Sequence, residues 1–221
     1  MAHAAGQRRR HPQPRAFVCY HQSKGMKRFI LGISGASGQA IGVKLLRELL
    51  ERNFEVHLAI SRQSLPILEQ ETGIKYGSGT QGEKALRGGV RGGKLFYYDE
   101  TEMSAPIASG SFRTEAMFIA PCSMKTLSAV ANGYASNLLE RAADVKIKEG
   151  GKLILSPREM PFSAIHLENM LKLARLGVTI APPVAAFYHG PRTIEAMVEF
   201  FAGKLLDQAG IENNAFKRWR G

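Results

Sequence analysis

Gly32-Ile33-Ser34-Gly35-Ala36-Ser37-Gly38 follows the apolar run Phe29-Ile30-Leu31 and precedes an amphipathic stretch from Ala40 to Leu50. That order predicts a strand, a glycine turn and a helix. Glycine tolerates positive φ and lets the backbone come close to a ligand. A helix starting there aims unpaired N–H groups and a partial positive charge at the turn. Ser34 and Ser37 add hydroxyl donors. The spacing is G-x-x-G-x-x-G, which is neither the G-x-G-x-x-G dinucleotide fingerprint nor a Walker A loop. Two readings stay open: a cradle for a phosphate, flavin or nucleotide edge, and a tight turn of small residues made for packing.

Apolar runs and amphipathic segments alternate outward from this turn. Strands are expected at 27–33, 55–60, 94–98, 116–120, 152–156 and 178–181, with Pro121 and Pro157 ending two of them. Helices are expected at 39–52, 61–72, 123–131, 138–149, 163–176 and 193–208, with Ser61, Ser123, Ser163 and Thr193 as caps. Residues 75–93 are glycine-rich and read as a surface excursion holding a short helix. Repeated βα units imply an α/β fold of Rossmann-like type, a three-layer sandwich around a mostly parallel sheet. We expect a basic extension at 1–25 and one domain at 26–221.

Composition narrows the function classes. The 221 residues are 44% hydrophobic, which suits one globular domain. The net charge is +11, but Arg8, Arg9, Arg10, Arg15 and Lys24 supply five of those charges, leaving +6 on the rest. The basic bias therefore belongs partly to the N-terminal segment, and a nucleic-acid face is not implied. Anionic small molecules suit the remainder. The cysteines, Cys19 and Cys122, have no metal-ligand spacing. No apolar run approaches the ~20 residues of a membrane span. A cytoplasmic location follows; the acid-free, Arg-rich start also has the character of a mitochondrial transit peptide.

In such a sheet, ligands bind beyond the carboxyl ends of the strands. The candidates are then Gly35, Ala36 and Ser37; Ser61; Cys122, Ser123, Met124, Lys125 and Thr126; Arg158 and Glu159; and Phe187, Tyr188 and His189. Ser123 reads equally as a ligand contact and as a plain N-cap. Arg141, Asp144 and Lys148 share a helical face, either as a solvated charged face or as a cationic grip on phosphate with Asp144 orienting Arg141. Glu159 beside Arg158 is either a salt-bridge partner or a proton carrier. Gly32-Ile33-Ser34-Gly35-Ala36 departs from G-x-S-x-G at its last residue and follows the first strand, which argues against a serine hydrolase.

Taken together, the segments resemble the UbiX/Pad1 flavin prenyltransferase family from about Met26 to Trp219. The motifs are G-I-S-G-A-S-G, A-S-G-S-F-R-T at 108–114, P-C-S-M-K-T-L at 121–127 and E-R-A-A-D-V at 140–145. P-R-E-M-P-F at 157–162, I-H-L-E-N-M-L at 165–171, P-P-V-A-A-F-Y-H at 182–189 and R-W at 218–219 complete them. The resemblance implies a flavoprotein that joins the dimethylallyl group of dimethylallyl phosphate to N5 and C6 of reduced FMN without a metal. The prenylated FMN would serve a UbiD-type decarboxylase, and the protein would be a dodecamer whose sites are shared between subunits.

By the same resemblance, FMN contacts fall on Gly35, Ala36, Ser37, Ser61, Ser123, Met124, Lys125, Thr126 and Arg158, with Ser109 near the flavin and the prenyl tail. The prenyl-phosphate grip falls on Arg141, Lys148, Tyr188 and Lys204. Glu159 matches the proton-handling carboxylate, Glu71 a supporting acid and Trp219 a closing aromatic, and Ser37 relays a proton. Lys204 stands where many members carry arginine, keeping the charge but not the planar fork. Met103, at a position aromatic in some relatives, and residues 75–93 also diverge. The alternatives are an FMN-dependent decarboxylase and a non-catalytic FMN carrier of an aromatic-acid decarboxylase system. A cysteine-decarboxylating flavoprotein would need an early catalytic histidine, and none lies between Gly38 and Glu55.

Overall fold

The computed structural model describes residues 25–75, 80–188 and 190–218. Six strands, β1 (Arg28–Ile33), β2 (Glu55–Ile60), β3 (Lys94–Asp99), β4 (Ala116–Cys122), β5 (Lys152–Pro157) and β6 (Thr179–Ile180), form one sheet in the order β3-β2-β1-β4-β5-β6. Every pairing is parallel. The chain leaves β1 toward β2 on one side and returns through β4 on the other. The crevice between the ends of β1 and β4 is thus the topological switch point.

Helices cover both faces. On one lie α1 (Gln39–Glu51), α2 (Ser64–Thr72), α3 (Thr80–Arg87) and α7 (Ile194–Ala209). On the other lie α4 (Met124–Ala131), α5 (Leu138–Lys148), α6 (Ala164–Arg175) and a short 3-10 turn at Pro106–Ala108. β1, β4 and β5 are buried on both sides, and so read as continuous apolar runs without alternation.

Two local expectations change. Pro121 does not end its strand: β4 continues to Cys122 across a break in register between Ile119 and Cys122. A proline lacks the N–H for the ladder but keeps a carbonyl, and Pro121 O accepts hydrogen bonds from the Ser34 N–H and hydroxyl. Ser61 does not cap α2, which begins at Ser64; its hydroxyl pairs with that of Ser64 at 2.9 Å. Ser123, Ser163 and Thr193 do cap their helices. Ser163 forms a capping box with His166, which gives that histidine a structural role.

Candidate active site

The glycine turn sits at the switch point and is held from several sides. Gly38 has φ 100°, a conformation glycine adopts without strain. The buried Gln39 amide donates to Ser34 O at 3.1 Å and Ala36 O at 2.7 Å. Ser34, expected to face a ligand, is buried: its hydroxyl donates to Pro121 O at 3.1 Å and accepts from Ser123 N–H at 2.8 Å. Ser34 therefore fastens the β1 end to the start of α4, and its hydroxyl is not a free donor. Ser37 is exposed and keeps its hydroxyl at the surface of the turn.

The anion expected at the start of α1 comes from the chain itself. Glu71 of α2 accepts from Gly38 N–H at 2.9 Å and from Gln39 N–H at 2.8 Å. A carboxylate there answers both the unpaired N–H groups and the helix dipole. This changes the first reading of the turn: its helix N-terminus is occupied by Glu71, while Gly35, Ala36 and Ser37 line the approach.

The second element is the start of α4. Ser123 Oγ accepts from Thr126 N–H at 3.3 Å and donates to Thr126 Oγ1 at 3.1 Å. Helix geometry leaves the N–H groups of Met124 and Lys125 directed outward at the sheet edge. Lys125 Nζ reaches Glu140 Oε1 at 2.7 Å, and Ser136 donates twice to the other Glu140 oxygen. Burial works to raise the Glu140 carboxyl, but the Lys125 and Ser136 hydrogen bonds win and hold it below its ordinary value. Arg158 is exposed, and its Cδ lies 4.0 Å from where a Cβ on Gly38 would stand. Gly35, Ala36, Ser37, Ser61, Ser123, Met124, Lys125, Thr126 and Arg158 thus lie along one sheet edge. Glu159 follows on the exposed 158–160 segment and accepts from Met160 N–H at 3.1 Å.

A cationic cluster lies on the α5 side. Arg141 Nε donates to Ala108 O at 3.2 Å, and its guanidinium meets Asp144 at 2.9 Å. The Arg141–Asp144 pair is the contact that both readings of this helix face expected. Lys148 Nζ meets Glu149 Oε1 at 2.6 Å. Ser109 and Gly110 form the neighbouring turn, where the Ser109 hydroxyl pairs with that of Ser111 at 2.9 Å.

Lys204 is elsewhere. It projects from α7, with its ammonium 6.0 Å from the centroid of the Phe216 ring. Arg218 stacks on the same ring at 5.2 Å and pairs with Asp207 at 2.8 and 3.0 Å. Tyr188 is half exposed. The sheet stands between α7 and α5, so one subunit does not bring Lys204 to Arg141 and Lys148. Trp219 and His189 lie outside the described residues.

Sequence reasoning missed Gln39, the Glu71 carboxylate on the helix start and Glu149. Glu71 acts through a contact between distant segments with no local signature; Gln39 bonds back into the turn only three and five residues away, and Glu149 was visible as the neighbour of Lys148. Cys122 is buried, and burial pushes its thiol up, so it is inert packing. Among the described residues no group of three or more His, Cys, Asp or Glu is placed to hold a metal ion, and no helix is long and apolar enough to cross a membrane.

The glycine turn at the switch point of a six-stranded parallel sheet defines a flavoprotein-type domain, and the Flavoprotein family model matches residues 18–206. The chain is 44% identical over 191 residues to a flavin prenyltransferase UbiX of Alkalihalophilus pseudofirmus, covering 86% of this chain and 94% of that protein. It is also 44% identical over 194 residues to a flavin prenyltransferase UbiX of Methanocaldococcus jannaschii, covering 87% and 98%. The chain belongs to the UbiX flavin prenyltransferases within that flavoprotein family.

Solved structures agree. A dodecameric FMN-dependent UbiX-like decarboxylase from Escherichia coli O157:H7 superposes with TM-score 0.78 at 43% identity, covering 88% of this chain and all of that one. AnUbiX (PadA1) in complex with FMN and dimethylallyl pyrophosphate superposes with TM-score 0.80 at 36% identity, covering 89% and 99%. More distant flavoproteins, such as a cysteine decarboxylase at 18% identity and TM-score 0.53, share the fold alone.

Proposed function

We propose that the chain is a flavin prenyltransferase that joins the dimethylallyl group of dimethylallyl phosphate to N5 and C6 of reduced FMN. FMN is its cofactor and prenyl acceptor. The observation that carries the reading is the α5 cluster: Arg141, fixed by Ala108 O and Asp144, and Lys148 stand beside the Ser109-Gly110 turn. Two cations on a polar turn suit a phosphate that gains charge as it leaves.

The residues fit FMN at the neighbouring edge. Gly35, Ala36 and Ser37 present a turn with little side-chain bulk, the α4 start offers N–H groups, and Arg158 offers a cation. Reduced FMN supplies the nucleophilic ring atoms. The protein supplies position and charge. Arg141, Lys148 and Lys204 offset the charge on the departing phosphate, and Tyr188 Oη donates to it. The Glu159 carboxylate takes up and returns protons, with Ser37 Oγ as a relay. Lys204 reaches the cluster from a second copy, because the sheet separates it from Arg141 and Lys148 within one subunit.

The assembly is a dodecamer, and the prenylated FMN passes to a UbiD-type decarboxylase. We place the protein in the cytoplasm. Anaerobic incubation with reduced FMN and dimethylallyl phosphate, followed by mass spectrometry of the released flavin, tests the reaction. A flavin heavier by one C5 unit is expected, lost on Glu159→Gln and on Lys148→Ala. Unmodified FMN from the unaltered protein would favour a carrier or a decarboxylase instead.

A further inference from the structure

We propose that Glu149 is a specificity-determining residue that biases the enzyme toward a monophosphate and against a diphosphate prenyl donor. The inference rests on Arg141 and Lys148 being the phosphate grip. Lys148 Nζ and Glu149 Oε1 are 2.6 Å apart. The pair folds over the Ser109-Gly110 turn: a Cβ on Gly110 would overlap the Glu149 carboxylate and stand 3.1 Å from Lys148 Nζ. The slot exists because position 110 has no side chain.

Both cations of the cluster therefore carry a carboxylate, Asp144 on Arg141 and Glu149 on Lys148. The two roles differ. Asp144 shares a helix face with Arg141 and fixes its direction. Glu149 leans over the turn where the phosphate is to sit. Arg113 also acts on Glu149, so the carboxylate is balanced by cations and stays ionised near neutral pH.

An incoming phosphate competes with Glu149 for the Lys148 ammonium and feels its negative charge. That repulsion scales with ligand charge. A phosphate monoester carries about −1.5 to −2 at pH 7. A diphosphate carries about one charge more and reaches further, so it loses more. Both members of the pair are about half exposed, at 49% each. Solvent and salt therefore screen the effect, and a discrimination of about five-fold is expected rather than an absolute block.

The test measures kcat/KM for dimethylallyl phosphate and for dimethylallyl pyrophosphate on the full chain with reduced FMN. Glu149→Gln should lower the monophosphate-to-diphosphate ratio about five-fold, mainly through KM for the diphosphate. Glu149→Asp, which keeps the charge, should retain most of the preference. Added salt should compress the ratio of the unaltered protein. A ratio unchanged by Glu149→Gln, a shift with Glu149→Asp as large as with Gln, or a diphosphate preference in the unaltered protein would overturn the proposal. Prenyl transfer with an invariant ratio would sink only the role of Glu149; transfer from neither donor would sink the prenyltransferase reading as well.

Discussion

Helices α1 and α6 have nearly the same length, 13 and 12 residues, and both repeat apolar side chains at helical spacing. In α1, nine residues are buried, among them Ile41, Leu45, Leu46 and Leu49 packed against β1, β4 and α7. In α6, Leu173 alone is buried, while Ile165, Leu167 and Leu171 stand 51–68% exposed. Met160, Val184, Phe187 and Ile194 are exposed as well. Sequence periodicity reports that a helix has an apolar face. It does not report whether the chain itself covers that face. Helix α1 is covered by its own chain, whereas α6 leaves its apolar face open, and in the proposed assembly a second copy would cover it.

The sharpest way to test this contrast is to truncate matched leucines. Leu46→Ala should cost about 3 kcal/mol in chemical denaturation, because a fully enclosed side chain leaves a cavity. Leu171→Asp should leave the far-ultraviolet circular dichroism intact and instead shrink the assembly in light scattering. If Leu171→Asp unfolded the chain as Leu46→Ala is expected to weaken it, the two helices would not differ as argued.

A second, smaller effect comes from α5, the inner helix of the same layer as α6. Lys146 is buried and donates to Thr114 O at 2.8 Å, and burial lowers its ammonium from 10.5 to about 8. The folded state thus disfavours the charged form. Below pH 8 both folded and unfolded chains hold the proton, and the cost is fully present; between pH 8 and 10.5 the unfolded chain alone stays protonated, so stability recovers. Lys146→Met should therefore gain relative to the unaltered protein at pH 7, by about 2 kcal/mol at most once the lost hydrogen bond is counted, and the gain should shrink toward pH 10. Melting temperatures across that range check the sign. A gain that grows with pH would contradict it.

The smallest effect belongs to the capping box on exposed α6. Ser163→Ala should cost about 1 kcal/mol, through loss of the hydrogen bond from His166 N–H. Ser163→Thr, which keeps the hydroxyl, should retain most of that stability. Unchanged stability in Ser163→Ala together with the full loss in Leu46→Ala would show that α6 takes its stability from the neighbour and not from its own cap.

The order of strands and helices was legible because βα alternation, glycine turns and caps are local signals. So were the motifs along the sheet edge, since chain segments after parallel strands must converge there. The errors were local as well: Pro121 was expected to stop a strand, but its carbonyl is what Ser34 needs. Less accessible were contacts that join distant segments, such as Glu71 on the start of α1 or the sheet standing between Lys204 and Lys148. Those depend on tertiary packing, which periodicity does not encode. The resemblance grouped Arg141, Lys148 and Lys204 in one proposed phosphate grip; the fold sets α5, with the first two, and α7, with Lys204, on opposite sides of the sheet.

That division is the central claim, and subunit mixing tests it most directly. Lys204→Met and Lys148→Ala proteins are each expected to make no prenylated FMN on their own. Unfolded together and refolded as mixed assemblies, they should regain a fraction of the activity, because some sites would draw an intact Lys148 from one subunit and an intact Lys204 from another. Mixed assemblies of confirmed composition that make no prenylated flavin would contradict a site completed by a second copy.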